Sequence, residues 1–409
     1  MTTEEKFNLI TRNLEETLTE EELKDLIESG TPLKHYIGLE ISGKAHVGWL
    51  FMMMKIKDLQ DAEVETQILL ADWHTWLNKK LDGTLETAKR LARDYFEQAL
   101  KAAAICAGAD PGKINFVLGS ELYDKLGSNY WAQVIKVAKA TTLARMIRST
   151  AIMGRKESEI SDTAMLIYPA MQAADIFALG VNIAHAGTDQ RNVHVVAREA
   201  AASLGEDKPI AIHHHLLQSL VKLENATNDE EDKKLLEKFY KKTIPGRVTN
   251  IALSKEETIR LIEIMKMSKS KPDSAIFIHD DPEEIKRKVN NAYAPEGVVE
   301  FNPILDWVKH LIFYNSSYAR ISSSAYNQDL ASQGDALRVQ RDKKWGGDLE
   351  YSTYDELEKD YAEKQLHPQD LKAAVAEWLI TKLEPARKYF EDPKRKQALE
   401  EIEKLTSKK

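Results

Sequence analysis

"LEISGKAHVGWL", residues 39–50, follows a strand-like run, "KHYIGLE" (34–40), and leads into "LFMMMKIKDLQDA" (50–62), whose apolar spacing is helical. Ser42-Gly43 breaks the strand, so His46-Val47-Gly48 falls where a strand hands over to a helix. Open α/β sheets bind phosphates at that position, because free backbone N–H groups and the positive end of the helix dipole point outward. Gly48 lets a ligand approach the backbone, and His46 can donate a hydrogen bond to an anionic oxygen. Taken alone, a histidine at a helix start reads as a cap or a surface residue.

Strand-like and helical runs alternate outward from this stretch. "VETQILLAD" (64–72), "KINFVLGS" (113–120) and "KPIAIHHH" (208–215) read as short apolar strands. "TLETAKRLARDYFEQALKAAAICA" (84–107) and "NVHVVAREAAASL" (192–204) read as helices. The alternation predicts an α/β fold built on a parallel, doubly wound sheet. Residues 222–265 are charged and helix-prone and read as an insertion; from about residue 281 onward the pattern is helical. "SSYARISSSAYNQDLASQGDALRV" (316–339) reads as a loop or an exposed hairpin, and "KRKQALEEIEKLTSKK" (394–409) as a frayed or exposed helix.

Length and composition bound the answer. A chain of 409 residues, 43% hydrophobic, has two or three domains and a sizeable core. A net charge of −8 excludes a global basic field and leaves room only for a local basic face. The single cysteine, Cys106, rules out intrachain disulfides and cysteine-based zinc sites. The run His213-His214-His215 has no acidic or Cys partner at ligand spacing, and consecutive strand residues face opposite ways. It reads as structural, and no metal site is expected. No signal-peptide core or membrane-length stretch is present, so a cytoplasmic chain with no membrane partner is expected.

A second motif gives the first its meaning. "KMSKSKPDSAIFIHD" (266–280) places two lysines and two serines within five residues, before a Pro-Asp turn. By itself this is a solvated basic loop. Paired with "HVGW" it resembles the two signatures of the class I aminoacyl-tRNA synthetases. The chemistry explains the pairing. A carboxylate attacks the α-phosphorus of ATP and pyrophosphate leaves, so the protein supplies donors for developing phosphate charge and no nucleophile. The resemblance makes His46, Lys266 and Lys269 catalytic. It makes His46, Gly48, Lys266, Ser268, Lys269 and Ser270 the ATP contacts, with Mg2+ bound through the ATP phosphates. A mobile lysine loop suits closure on ATP and release of product.

The resemblance sharpens to the tyrosyl-tRNA synthetase family of the archaeal and eukaryotic type, across roughly residues 1–390. It is carried, in order, by "YIGLEISGKAHVG", "ILLADWHTWLN", "VLGSE", "IYPAMQAADIFALGV", "GTDQRNVHVVARE" and the segment beginning "WGGDLEYSTYDELEKDYAEKQLHPQDLK". It implies a tyrosine–tRNA ligase with a Rossmann-like catalytic domain over 31–280. A helical segment precedes it (1–30), and a helical anticodon-binding domain follows (281–409). It implies a homodimer that takes L-tyrosine, ATP and tRNA(Tyr). The family's tyrosine pocket falls on Tyr36, Tyr168, Gln172, Asp175 and Gln190. Spacing adds independent support, since Tyr168, Gln172 and Asp175 lie at i, i+4 and i+7 on one helix face. Asp175 with Tyr36 would read a phenol hydroxyl; Tyr168, Gln172 and Gln190 would bind the substrate ammonium. Such a site rejects phenylalanine by ~10⁴ to 10⁵ without editing, because a missing hydroxyl strands buried polar groups. His74 and Asp72 close the second strand, where His74 is either pocket floor or a core or capping histidine.

At the RNA end the resemblance implies that Trp345 and His367 stack on the first anticodon base and that Asp370 selects guanine. Asp370 is also simply a favourable charge in a helix first turn. Arg148 and Arg191 match positions that read the first base pair of the acceptor stem, and each reads equally as a surface ion-pair partner. Two departures stand out. Ile41 replaces the usual proline before Ser-Gly, and Trp49 replaces the final histidine of the first signature. Three rivals remain: a tryptophan-charging relative, a non-catalytic RNA-binding paralogue and a nucleotidylyltransferase. Tyr36 with Asp175 opposes the first, the intact lysine–serine motif the second, and the anticodon-like segment the third.

Overall fold

The computed structural model describes residues 1–154, 160–221, 227, 229–243, 253–267, 272–315 and 336–407. They form two compact units. One comprises Met1–Ala45, Met52–His215 and Lys388–Lys409; the other comprises His46–Phe51 and Leu216–Arg387. These units do not follow the bounds drawn above at residues 30 and 281.

The first unit holds a six-stranded sheet: β1 (Leu14–Leu18), β2 (Lys34–Glu40), β3 (Glu65–Ala71), β4 (Ile114–Leu118), β5 (Ile183–Gly187) and β6 (Ile210–His214), in the order β1-β6-β5-β2-β3-β4. The run β6-β5-β2-β3-β4 is parallel, and β1 adds an antiparallel edge. From β2 the chain winds outward through β3 and β4, then returns to β5 and winds the other way. The switch point lies between β2 and β5, and ligands bind at the carboxyl ends of strands there. Apart from Glu65, β3 is buried, as is all of β5, because helices cover both faces of a parallel sheet.

β1 corrects the expected helical segment 1–30. Helices Thr3–Thr11 and Glu20–Glu28 flank a strand that the acidic text "LEETL" conceals. An edge strand needs only one apolar face, so its pattern is weak. Beneath it and across the sheet runs a set of buried imidazoles. His35 Nε2 lies 3.0 Å from His185 Nδ1, and His185 Nε2 lies 2.8 Å from His214 Nδ1. His194 Nδ1 lies 3.0 Å from His213 Nε2. His213 and His214 thus take different partners, as neighbours on a strand must.

The C-terminal helix Pro393–Ser407 is not the frayed or exposed element expected. Ile402 is fully buried, and Lys44 pairs with Glu403 at 2.9 Å. Arg90 pairs with Glu401, and the Phe390 ring packs on Tyr95. Its charged text hid a narrow apolar stripe.

The second unit gathers the first signature and the lysine-bearing stretch. Val47 N donates to Ile276 O at 2.8 Å, and His46 bridges to Phe277. Ala275–Ile278 is used for that pairing and is not part of the sheet. Lys288 holds the stretch from below through Asp280 (2.7 Å) and Ala275 O (3.1 Å). The charged insertion contains helices Glu230–Thr243 and Lys255–Met265, joined by Leu236, Phe239, Leu261 and Met265 and by a two-toothed Arg260–Asp232 pair. The second of these helices ends at Met265 and delivers Lys266. Further on, β7 (Leu337–Val339) and β8 (Leu349–Tyr351) form a hairpin, and helix Pro368–Lys382 follows. The hairpin includes the only described end of the polar segment 316–339; residues 316–335 lie outside the described residues. Among the described residues no helix is long and apolar enough to cross a membrane.

Candidate active site

Helix Tyr168–Ala178 opens on Pro169, which suits a first turn. Its small residues Ala170, Ala173 and Ala174 let it sit close to its neighbours, and this buries Asp175 completely. Tyr130, on helix Ser128–Ala140, donates from Oη to Asp175 Oδ1 at 2.9 Å. The other oxygen, Oδ2, has no hydrogen-bond partner; His74 Nε2 is 3.6 Å away. Burial raises the Asp175 carboxyl to about 7, even though the hydroxyls of Tyr130 and, next to it, Tyr123 pull it down. Burial and the Asp175 charge together push the Tyr36 phenol well above its usual range. Tyr36 stands on β2, and its Oη lies 2.9 Å from where a Cβ on Gly38 would sit, so glycine at 38 makes room for the phenol.

The three residues expected to bind the ammonium are linked into hydrogen-bond pairs. Tyr168 Oη donates to Glu40 Oε1 at 3.2 Å, at the carboxyl end of β2. Gln172 Nε2 donates to Gln190 Oε1 (3.1 Å), and Gln190 Nε2 donates to Ile152 O (3.0 Å). This order leaves Gln172 Oε1 as the acceptor of the pair. All five predicted pocket residues lie in the first unit, at the switch point. His74 belongs with them: its ring meets the Tyr168 ring edge-on at 4.6 Å, and neither ring nitrogen has a partner. Burial drops its pKa to about 3, so it is neutral. Asp72 accepts from Trp73 N (2.8 Å) and Ser120 N (3.0 Å) and fixes the end of β3.

Sequence reasoning missed Tyr130, Glu40 and Asn78, whose Nδ2 donates to Glu40 Oε1 at 2.6 Å. Glu40 had a signal, since it ends a strand beside the first signature. Tyr130 had none, because an aromatic on an amphipathic helix reads as core.

In the second unit, helix Val47–Asp61 begins at the first signature. Its leading amides are not free for phosphate, which corrects the first expectation. Val47 N goes to Ile276 O, Gly48 N to His46 Nδ1 (3.1 Å) and Trp49 N to His46 O (2.8 Å). With Nδ1 accepting, Nε2 is the ring nitrogen that carries the N–H and can donate. Gly48 has a second reason as well. A Cβ there would lie 2.8 Å from the His46 ring and 3.1 Å from Met267 Cε. Trp49 is buried with its ring 6.4 Å from that of His46, so it packs the signature in place of a second imidazole. Lys266 caps helix Lys255–Met265 and bridges to Gln218. Ser268, Lys269 and Ser270 lie outside the described residues.

In the segment expected to meet the anticodon, Trp345 is 69% exposed, with Lys344 Nζ 5.7 Å from its ring centroid. His367 caps helix Pro368–Lys382 and accepts from Gln369 N at 3.2 Å; Asp370 lies in its first turn. Arg341 ties the two segments together through Gln365 O at 3.1 Å. Arg148 is exposed on helix Leu143–Ser149. Arg191 is held by Glu16 of β1 at 2.7 Å, so it must leave that pair to reach a nucleic acid.

A doubly wound sheet with a polar pocket at its switch point, a histidine-glycine helix start and a lysine–serine motif define a class I aminoacyl-tRNA synthetase. Residues 28–384 match the family of class I tRNA synthetases for tryptophan and tyrosine. The tyrosine–tRNA ligase of Thermococcus sibiricus is 45% identical over 402 residues, 96% of each chain. The crystal structure of tyrosyl-tRNA synthetase complexed with L-tyrosine from Pyrococcus horikoshii superposes with a TM-score of 0.83 at 44% identity, over 99% of this chain and 100% of that one. The Aeropyrum pernix tyrosyl-tRNA synthetase gives 0.74 at 38%, over 98% and 99%. The chain belongs to the tyrosyl-tRNA synthetase family, ligases with ATP as a substrate.

Proposed function

We propose that the chain activates L-tyrosine with ATP and then transfers it to the 3′ end of tRNA(Tyr), with its residues divided as follows. Asp175 Oδ2 and Tyr36 read the phenol hydroxyl; Tyr168, Gln172 and Gln190 hold the ammonium, with Glu40 supplying negative charge behind Tyr168. His46, Gly48, Lys266, Ser268, Lys269 and Ser270 bind ATP, and His46, Lys266 and Lys269 stabilise the charge that builds as pyrophosphate leaves. The donors proposed for this site are cationic, N–H or hydroxyl groups, which fit phosphates and not a bare cation; Mg2+ fits as an ion carried on the triphosphate, where it would neutralise charge. Because the leading amides of the signature helix are already used, the side chains of His46 and of the lysines and serines carry the phosphate contacts, and Gly48 contributes by leaving room for ATP to approach the backbone.

The observation that carries this reading is the unpartnered Asp175 Oδ2, a buried acceptor without a donor. Such an atom is costly to leave alone and is satisfied by a ligand O–H. ATP–pyrophosphate exchange with tyrosine, tryptophan and phenylalanine in parallel tests it: strong exchange with tyrosine alone is expected, and equal exchange with phenylalanine would refute it.

For RNA, Trp345, His367 and Asp370 read the anticodon from the helical C-terminal region, and Arg148 and Arg191 read the acceptor stem. The charging would take place in the cytoplasm. A homodimer is supported by Trp131 and Ile135, one helical turn apart on Ser128–Ala140, and by Leu143; Ile135 is 59% and Leu143 68% exposed. Light scattering on the purified chain should give twice the 46.4 kDa monomer mass.

A further inference from the structure

The two oxygens of Asp175 are treated differently by the protein. Oδ1 takes the Tyr130 hydroxyl; Oδ2 takes none. The groups that face the carboxylate come from five elements: Tyr36 from β2, Asp72 and His74 from helix Asp72–Leu77, Tyr123 from helix Gly119–Leu126, Tyr130 from the next helix and Tyr168 from its own. None of these is a cation, since His74 is held neutral. A buried carboxylate without a cation keeps its charge only through hydrogen bonds to it. The Tyr123 hydroxyl lies near enough to favour the charged form as well, but only Tyr130 makes the hydrogen bond, and it is built for that task. It is completely buried and stacks on Tyr123, with centroids 4.0 Å apart and planes 18° apart. The indole of Trp131 meets its ring edge-on. The ring cannot turn away without breaking these contacts.

We infer that Tyr130 is a positioning residue for amino-acid selection: its hydroxyl occupies Oδ1 of Asp175, so that Oδ2 alone remains as a charged acceptor for the substrate phenol. This rests on the reading of Asp175 given above. The distinction matters because the two protonation states read the ligand differently. An ionised Oδ2 accepts from tyrosine, and phenylalanine leaves it stranded. A protonated Oδ2 donates, and it loses less when the ligand hydroxyl is absent. Burial already drives this carboxyl toward the neutral acid, and removal of the Tyr130 hydroxyl drives it further.

The test is Tyr130→Phe, which keeps the ring and both aromatic contacts. Tyrosine-dependent pyrophosphate exchange is measured from about pH 6 to about 8.5, with kcat and kcat/KM separated, since kcat/KM reports the free enzyme. Near pH 7 kcat/KM for tyrosine should fall about tenfold relative to wild type, as expected for one hydrogen bond to a charged group. The deficit should close toward wild type as pH rises, and kcat at saturating tyrosine should stay within about twofold, because Tyr130 touches no phosphate-binding group. Preference for tyrosine over phenylalanine should fall with kcat/KM. A folded variant with wild-type kcat/KM at every pH overturns the inference, and so does an equal, pH-independent loss in kcat and kcat/KM. Asp175→Asn is run alongside: wild-type exchange there refutes the pocket itself, whereas a dead Asp175→Asn beside an unaltered Tyr130→Phe refutes only the role of Tyr130. The wild-type chain provides a reading that needs no variant. Its kcat/KM for tyrosine should fall through a single step near pH 7, and a flat profile down to about pH 6 overturns the inference as well.

Discussion

Lowering the pH from about 6.5 to about 5 loads protons onto the unfolded chain that the native sheet cannot accept. Burial holds His35, His74 and His194 down to about 3 and His214 to about 4, and it keeps His185 well below its ordinary 6.5. Their folded values are depressed, so each is neutral in the native state and charges only on unfolding. Stability from these groups is therefore present above pH 6.5 and is lost as pH falls below it. Each contributes a loss of about 1.7 kcal/mol across this window. Asp175 works in the opposite sense. Its folded value, about 7, exceeds its unfolded 3.8, so the native state gains its proton first and regains about 2 kcal/mol. Carboxylates with lowered values, such as Glu16, Glu284 and Glu401, act only below about 4.5 and stay out of the window. The balance is a loss of about 6 kcal/mol, comparable to the whole stability of many domains. Proton uptake on urea unfolding near pH 5.5 should come to about four per chain, with the sheet's unfolding midpoint falling steeply in parallel. Uptake below one proton, or midpoints equal at pH 6.5 and 5, would refute the neutral buried imidazoles.

Other perturbations separate the parts of the site. Gly38→Ala should raise KM for tyrosine about tenfold with little change for ATP, because the new methyl would sit 2.9 Å from the Tyr36 hydroxyl; a change in ATP alone would count against the phenol reading. Gly48→Ala should slow adenylate formation and leave tyrosine binding intact, since its Cβ would press on the His46 ring; stopped-flow adenylate formation set against tyrosine Kd decides. Lys269→Ala should lower the rate of adenylate formation far more than tyrosine affinity, and a joint fall would make the loop structural. Asp370→Ala should reduce charging of tRNA(Tyr) about tenfold or more while tyrosine-dependent exchange stays near wild type. Equal losses in both reactions would mean that Asp370 supports the fold and not the anticodon.

How much of this was written in the sequence depends on whether a residue's partners are local. β2 was legible to its bounds, Lys34–Glu40, because apolar residues and a Ser-Gly break mark it within a few positions. Tyr168, Gln172 and Asp175 were legible as one face because helical periodicity is local. β1 was not, since a polar edge strand lacks the alternation that marks a half-buried one. β5, "IAHAG", was too short and too small-chained to stand out. The amides of Val47, Gly48 and Trp49 looked free because their acceptors include Ile276, some 230 residues away along the chain. Asp175 shows the boundary most clearly. Periodicity places it on a face, but what it can do follows from its unequal oxygens. One is taken by a tyrosine 45 positions upstream, and the other is left open beside a neutral histidine from a third helix. A carboxylate on an exposed face would be a solvated charge with an ordinary pKa. The same carboxylate, enclosed by groups from five elements and offered one donor too few, becomes an acceptor that a phenol can complete. The sequence names the residue, and tertiary packing supplies the vacancy in its hydrogen bonding that gives the residue its chemistry.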